Sequence, residues 1–90
     1  MIFITTYRIK QLSKDETKKL MGVFAEKGVP STVQAHYVAA DGSQGVVISE
    51  TDDVAGGYRN IQNYTQWVEY DTKVMLNVEQ AVPLIIESLA

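Results

Sequence analysis

Apolar and polar positions alternate at the start of the chain. Ile2, Ile4 and Thr6 fall on one side of an extended backbone, and Phe3, Thr5 and Tyr7 on the other. Branched and aromatic side chains pack well on a pleated surface, so Ile2 to Ile9 reads as a strand. The period then changes. Ser13 followed by Glu16 fits a capping box, Leu20, Met21 and Phe24 form an apolar stripe, and Gly28 and Pro30 stop the run. A helix over about residues 14–27 is expected. Gln34–Ala40 and Gly45–Thr51 return to strand-like composition. Asp52 or Asp53 then caps a second helical segment with Val54, Tyr58, Ile61 and Thr65 at helical spacing, Tyr64 beside them and Trp67 at its end. Val68–Leu76 alternates again, with Val68, Tyr70, Thr72 and Val74 opposite Glu69, Asp71, Lys73 and Met75. Asn77 caps a last helix whose apolar side carries Val82, Ile85, Ile86 and Leu89, with Pro83 inside it.

The two middle strands flank Ala40-Asp41-Gly42-Ser43-Gln44-Gly45, which reads as the turn of a β-hairpin. A tight turn at Gly42-Ser43 sets His36 opposite Ser49, Val38 opposite Val47, Tyr37 opposite Ile48 and Ala35 opposite Glu50. The element order is thus β-α-β-β-α-β with a C-terminal helix. That order predicts an α+β domain of the ferredoxin-like type, a single unit over residues 1–90 with a four-stranded antiparallel sheet. Both main helices then lie on one sheet face. Yet both faces carry apolar residues: His36 shares one with Val38 and Val47, and Tyr37 shares the other with Ile48. An uncovered apolar face points to an interface, so a homodimer is expected, with two sheets packed into a dimeric α/β barrel.

Ninety residues bury a modest fraction of their unfolded surface, and small domains offset this with disulfides, metals or partners. The chain has no cysteine and one histidine, which excludes disulfides and multi-histidine zinc sites. Association is the device left. A net charge of −3 repels phosphate and argues against a nucleic-acid partner. The cluster Arg8, Lys10, Lys14, Lys18 and Lys19 reads as a solvated helix face and its lead-in. No basic leader precedes the apolar start, and no apolar run approaches the ~20 residues that span a bilayer. The expectation is a cytoplasmic protein with no membrane partner and no cofactor.

The run His36-Tyr37-Val38-Ala39-Ala40-Asp41-Gly42-Ser43-Gln44-Gly45, then Val47-Ile48-Ser49-Glu50 and Asp52-Asp53, resembles a family of small uncharacterised bacterial proteins. In that family a His-Tyr segment leads into an Ala-Asp-Gly turn, a strand ending in Glu and an acidic helix cap. The resemblance implies the dimeric α/β-barrel superfamily. It supplies no catalytic residues, and the superfamily spans cofactor-independent monooxygenases, isomerase-like proteins and haem proteins, among which fold does not choose.

Candidate chemistry is sparse. His36 is the one side chain with an ordinary pKa near neutrality. It could hold a ligand, act as acid or base, or ligate haem; a structural hydrogen bond to Ser49 or Gln34 competes with all three. Tyr7, Tyr37 and Trp67 suit a pocket for a flat organic molecule, and equally a core or a dimer seam. Glu50 could stand at a pocket mouth, or serve as an edge charge. No phosphate loop, nucleophile elbow or EF-hand spacing is present. His36, Ser49, Tyr7, Tyr37, Glu50 and Trp67 are therefore ligand-binding candidates, with His36 the sole catalytic candidate and no metal ligands. The favoured expectation is a small-molecule binder without catalysis. The alternatives are a monooxygenase- or isomerase-like enzyme and a haem protein using His36.

Overall fold

A computed structural model describes all 90 residues. The elements are β1 (Ile2–Ile9), α1 (Lys14–Lys27), β2 (Val33–Val38), β3 (Gln44–Glu50), α2 (Val54–Ile61), β4 (Val68–Met75) and α3 (Val78–Ser88). This is the expected ferredoxin-like α+β order. Ser13 caps α1 by accepting from the Glu16 amide, at 3.2 Å, and the Gly28 N–H donates to the Phe24 carbonyl at 2.9 Å to close it. α2 is shorter than its spacing predicts. It ends at Ile61, and residues 62–67 fold into successive turns in which Tyr64 and Trp67, not Val54 and Tyr58, go inside. α1 departs in the same way: Leu20 and Val23 face inward, while Met21 and Phe24 are exposed. In both cases a pattern of apolar residues left two candidate stripes, and tertiary contact chose between them.

The sheet order is β2-β3-β1-β4, all antiparallel. The hairpin register differs from the expected one. His36 pairs with Val47, Tyr37 with Val46, Ala35 with Ile48 and Val38 with Gly45. The turn is a four-residue loop, Ala40–Ser43, closed by the Ala39 N–H donating to the Gln44 carbonyl at 2.8 Å. Asp41 Oδ1 accepts from the Ser43 amide at 3.0 Å and hydroxyl at 2.7 Å, and these bonds hold its carboxyl below the usual range. Gly42 sits in the left-handed region at φ 74°, where a side chain would be strained. This geometry centres the hairpin one residue earlier than Gly42-Ser43. Every pair therefore slips by two, and because strand side chains alternate with period two, no residue changes face.

One face carries Phe3, Thr5, Tyr7, Ile9, His36, Val38, Val47, Ser49, Val68, Tyr70, Thr72 and Val74 by register. The other carries Ile2, Ile4, Val46, Ile48, Ala35, Tyr37 and Met75 beside Arg8, Glu50, Glu69, Asp71 and Lys73. The core cluster is on the first face, at one end. Tyr64, Trp67 and Val68 form it, with Tyr7, Ile9, Leu12, Leu20, Val23 and Tyr70 packed around.

Little else is enclosed. Four of 90 residues are buried, and 17 large hydrophobic side chains are exposed. The radius of gyration is 15.9 Å, against about 12 Å for a compact domain of this length. The accessible surface is 6834 Å², against about 5,200 Å² from the scaling of monomeric proteins with mass. α3 contributes to this. It is well formed, with Asn77 and Gln80 making a reciprocal capping box at 2.8 and 3.0 Å, yet every residue of it except Ala81 is exposed. No helix is long and apolar enough to cross a membrane.

Candidate functional site

β1 and β2 are not neighbours; β3 lies between them. Tyr7 nevertheless reaches His36 across β3, its Oη 2.6 Å from Nε2. The sequence allows this at one position. Tyr7 pairs with Gly45, and a Cβ at Gly45 would run into the far end of the Tyr7 ring. The missing side chain opens a groove, and the phenol lies in it. The His36 and Tyr7 rings meet edge to face, with centroids 5.6 Å apart and planes at 77°. Such pairs are favourable beyond their area of contact.

Tyr7 is half-buried, and burial raises the pKa of its hydroxyl. The hydroxyl thus keeps its proton, and the tautomer in which it donates to Nε2 carries the ring proton of the neutral imidazole on Nδ1. On the far side of Tyr7, Tyr70 pairs directly across β1·β4, ring centroids 6.1 Å apart. Its pKa is pushed far up, mainly by burial and also by repulsion from Tyr64 and Tyr7. Tyr64 is raised by burial as well. His36 itself stays exposed, beside exposed Val38 and half-buried Val47. The site is a row of polar-tipped aromatics running from the core outward, Tyr70 to Tyr7 to His36, open to solvent at the histidine end.

The six expected site residues separate. Tyr7 and His36 are bonded, and Trp67 packs in the cluster that Tyr7 joins. Trp67 is core: it is 5% exposed, and its Nε1 has no hydrogen-bond partner. Ser49 shares the face of His36 but pairs with Val33 and Phe3, so the expected His36–Ser49 bond gives way to Tyr7. Tyr37 and Glu50 are on the opposite face, and Glu50 Oε2 accepts from Gln34 Nε2 at 2.8 Å. Gly45 and Tyr70 complete the site without having been expected in it. The signal for Gly45 was a glycine one residue inside β3, just past the turn. Its consequence depends on the β1·β3 register, which one sequence does not give.

No three His, Asp or Glu side chains converge as a metal site. His36 Nε2 is occupied by Tyr7, so a metal or haem iron bound through that nitrogen would have to displace the phenol. A shallow open depression lined by Thr6, Tyr7, Arg8, Gln44, Glu69, Tyr70 and Asp71 takes most of its lining from the opposite sheet face and carries charge of both signs.

Comparison with known proteins places the chain but does not assign it an activity. The model of a family described as a domain of unknown function, DUF3303, matches residues 1–89, and the chain belongs to that family. No curated protein matches. Among solved structures the chain is similar to a hypothetical protein, PHS023, from Pyrococcus horikoshii, at 13% identity and a TM-score of 0.45. That match covers 86% of this chain and 94% of the other.

Proposed function

We propose that this chain is one protomer of a homodimeric barrel that binds a small organic ligand, without catalysis, at the Tyr7–His36 pair. The observation that supports binding is the 2.6 Å Tyr7–His36 hydrogen bond at the open end of an aromatic row. An aromatic ring with a carbonyl or carboxylate suits it: the ring stacks on the half-buried phenol, and the oxygen meets the imidazole Nδ1–H. Binding is favoured over acid/base work because the imidazole has no carboxylate partner; it is hydrogen-bonded to Tyr7 alone. A general base is normally oriented by such a third group. The unenclosed apolar surface supports the dimer, since a domain that leaves 17 large hydrophobic residues exposed gains most from covering them with its own kind.

Two measurements test the reading. Benzoate and 4-hydroxybenzaldehyde, titrated to millimolar concentration, should shift the His36 imidazole ¹⁵N resonances saturably, and Tyr7→Phe should weaken the effect about tenfold, the 1.4 kcal/mol of one good hydrogen bond. Unmoved imidazole resonances across a panel of aromatic acids and aldehydes would remove the ligand site. Sedimentation equilibrium should give twice the 10.0 kDa chain mass.

A further inference from the structure

We infer that α3 is an exchanged arm: its apolar stripe packs on a second copy of the chain, over strand β2, rather than on its own domain. The inference rests on the dimer proposed above and adds which surfaces meet.

The first observation is where the exposed apolar residues are. Nine of the 17 lie between Val74 and Leu89: Val74, Met75, Leu76, Val78, Val82, Leu84, Ile85, Ile86 and Leu89. Val78, Val82, Ile85 and Leu89 recur at helical spacing and make one continuous stripe, with Glu79, Gln80 and Glu87 on the other side. A helix of this kind has a wet face and a face built for contact. Its own domain does not supply the contact, because only Ala81 is less than exposed. Two residues, Leu76 and Asn77, join α3 to β4, and the capping box already fixes the direction of the helix at that join.

The second observation is area. The chain exposes 6834 Å², about 1,600 Å² more than a monomer of its mass. If two copies each recover that excess, the interface totals about 3,200 Å², inside the 2,000–5,000 Å² range of obligate homodimers. A partner that returns the chain to ordinary surface economy must cover the segment holding over half of the exposed apolar side chains. A second copy brings the matching number.

The third observation places the arm. β4 and β2 are the two edges of the sheet. Two sheets close into a barrel, and lose their unpaired edges, when the edge of one meets the edge of the other. The β4 edge leads into α3, and the β2 edge shows Tyr37 at 66% and Val38 at 57% exposure. An arm leaving β4 of one copy therefore arrives at β2 of the other, where an exposed aromatic gives the stripe something to grip.

Every α3 residue except Ala81 is exposed, so full-length point variants on its stripe are informative. Isotope-filtered NOE spectra on a mixed sample of ¹³C-labelled and unlabelled wild type should show contacts from Ile85 and Leu89 methyls to the Tyr37 ring of the other copy. The double variant I85E/L89E should keep the far-ultraviolet circular dichroism of the wild type and raise the dimer dissociation constant at least a hundredfold. Tyr37→Glu on the facing surface should do the same. A wild type that sediments as a monomer overturns both this inference and the dimer it rests on. A dimer whose α3 methyls contact only their own chain or another surface, or whose dissociation constant is unmoved in I85E/L89E, overturns the arm alone.

Discussion

Replacing Gly45 by alanine tests whether the groove in β3 is what joins Tyr7 to His36. The added Cβ lands on the outer atoms of the Tyr7 ring, the movable end of a side chain, so the ring swings away while the strand stays paired. The swing breaks the 2.6 Å bond and the edge-to-face contact. A net hydrogen bond is worth about 1 kcal/mol and an aromatic pair about 0.5–1 kcal/mol. Against this, alanine is better than glycine in a strand by about 0.5–1 kcal/mol. The expected net loss is about 1 kcal/mol, a fall in Tm of roughly 4–8 °C for a domain of this size. The number alone is ambiguous, because any strand substitution can cost as much. The decisive assay is a double-mutant cycle by thermal or urea unfolding. With His36→Ala already made, Gly45→Ala has neither bond nor ring contact left to break, and its cost should drop by about 1.5–2 kcal/mol, leaving it stabilising by about 0.5–1 kcal/mol. Additive costs, or a Gly45→Ala protein whose His36 ¹⁵N shifts match the wild type, would show that Tyr7 reaches His36 without needing the groove.

The remaining expectations concern pH, capping and the hairpin. Tyr7, Tyr64 and Tyr70 all have folded-state pKa values raised by burial; their contribution is complete below the unfolded tyrosine value of about 10 and is lost as pH rises above it. Stability should therefore fall steeply from about pH 10 upward, and tyrosinate absorbance at 295 nm should lag behind that of the chain in urea; superimposable titrations would contradict the buried aromatic row. Asn77→Ala removes the side-chain half of the capping box, the bond that Oδ1 accepts from the Gln80 amide, on an exposed helix, so a loss of about 1 kcal/mol should appear first as reduced helical dichroism; unchanged helicity and Tm would show that the cap is idle. Gly42→Val forces a branched side chain into the left-handed region at φ 74° and should cost about 1–2 kcal/mol, whereas Gly42→Asn should be tolerated; equal costs would contradict the turn geometry.

The elements of this fold are legible because their signals are local. The Ser13 and Asn77 caps, the Gly28 stop and the period-two runs each act within a few residues, and the helix over 14–27 and the strand over 2–9 lie where the pattern puts them. What misread was choice between faces. Leu20, Met21, Val23 and Phe24 offer two overlapping stripes on α1, and only the position of Tyr64 and Trp67 selects Leu20 and Val23. The α2 segment misread for the same reason: Val54, Tyr58 and Ile61 keep helical spacing, but the turns from residue 62 onward are what deliver the buried aromatics. The hairpin register failed by two because the Asp41 side chain, not the Gly42-Ser43 pair, organises the loop.

The site was half legible, and the missing half follows a rule. His36 and Tyr7 each stood out by residue type, but they are 29 positions apart and on strands that do not touch. Their meeting is decided by the residue between them, whose contribution is to have no side chain. Gly45, met in sequence, looks like one more turn glycine beside Asp41-Gly42. Two ladders have to be known before it becomes a gap: β1·β3, which sets Gly45 against Tyr7, and β2·β3, which sets His36 two positions along from Val38, the partner of Gly45. Side chains on one face of adjacent strands are close enough to touch only when directly opposed or diagonal, so a residue on β1 reaches β2 only by lying flat over β3. A phenol is long enough and flat enough for that. Leucine or threonine at position 7 is too short, and lysine would not stay flat against an edge-on imidazole. The pairing of tyrosine at position 7 with glycine at position 45 is thus a single structural unit. Substituting either residue should unlink His36 from the core and leave the other without its purpose.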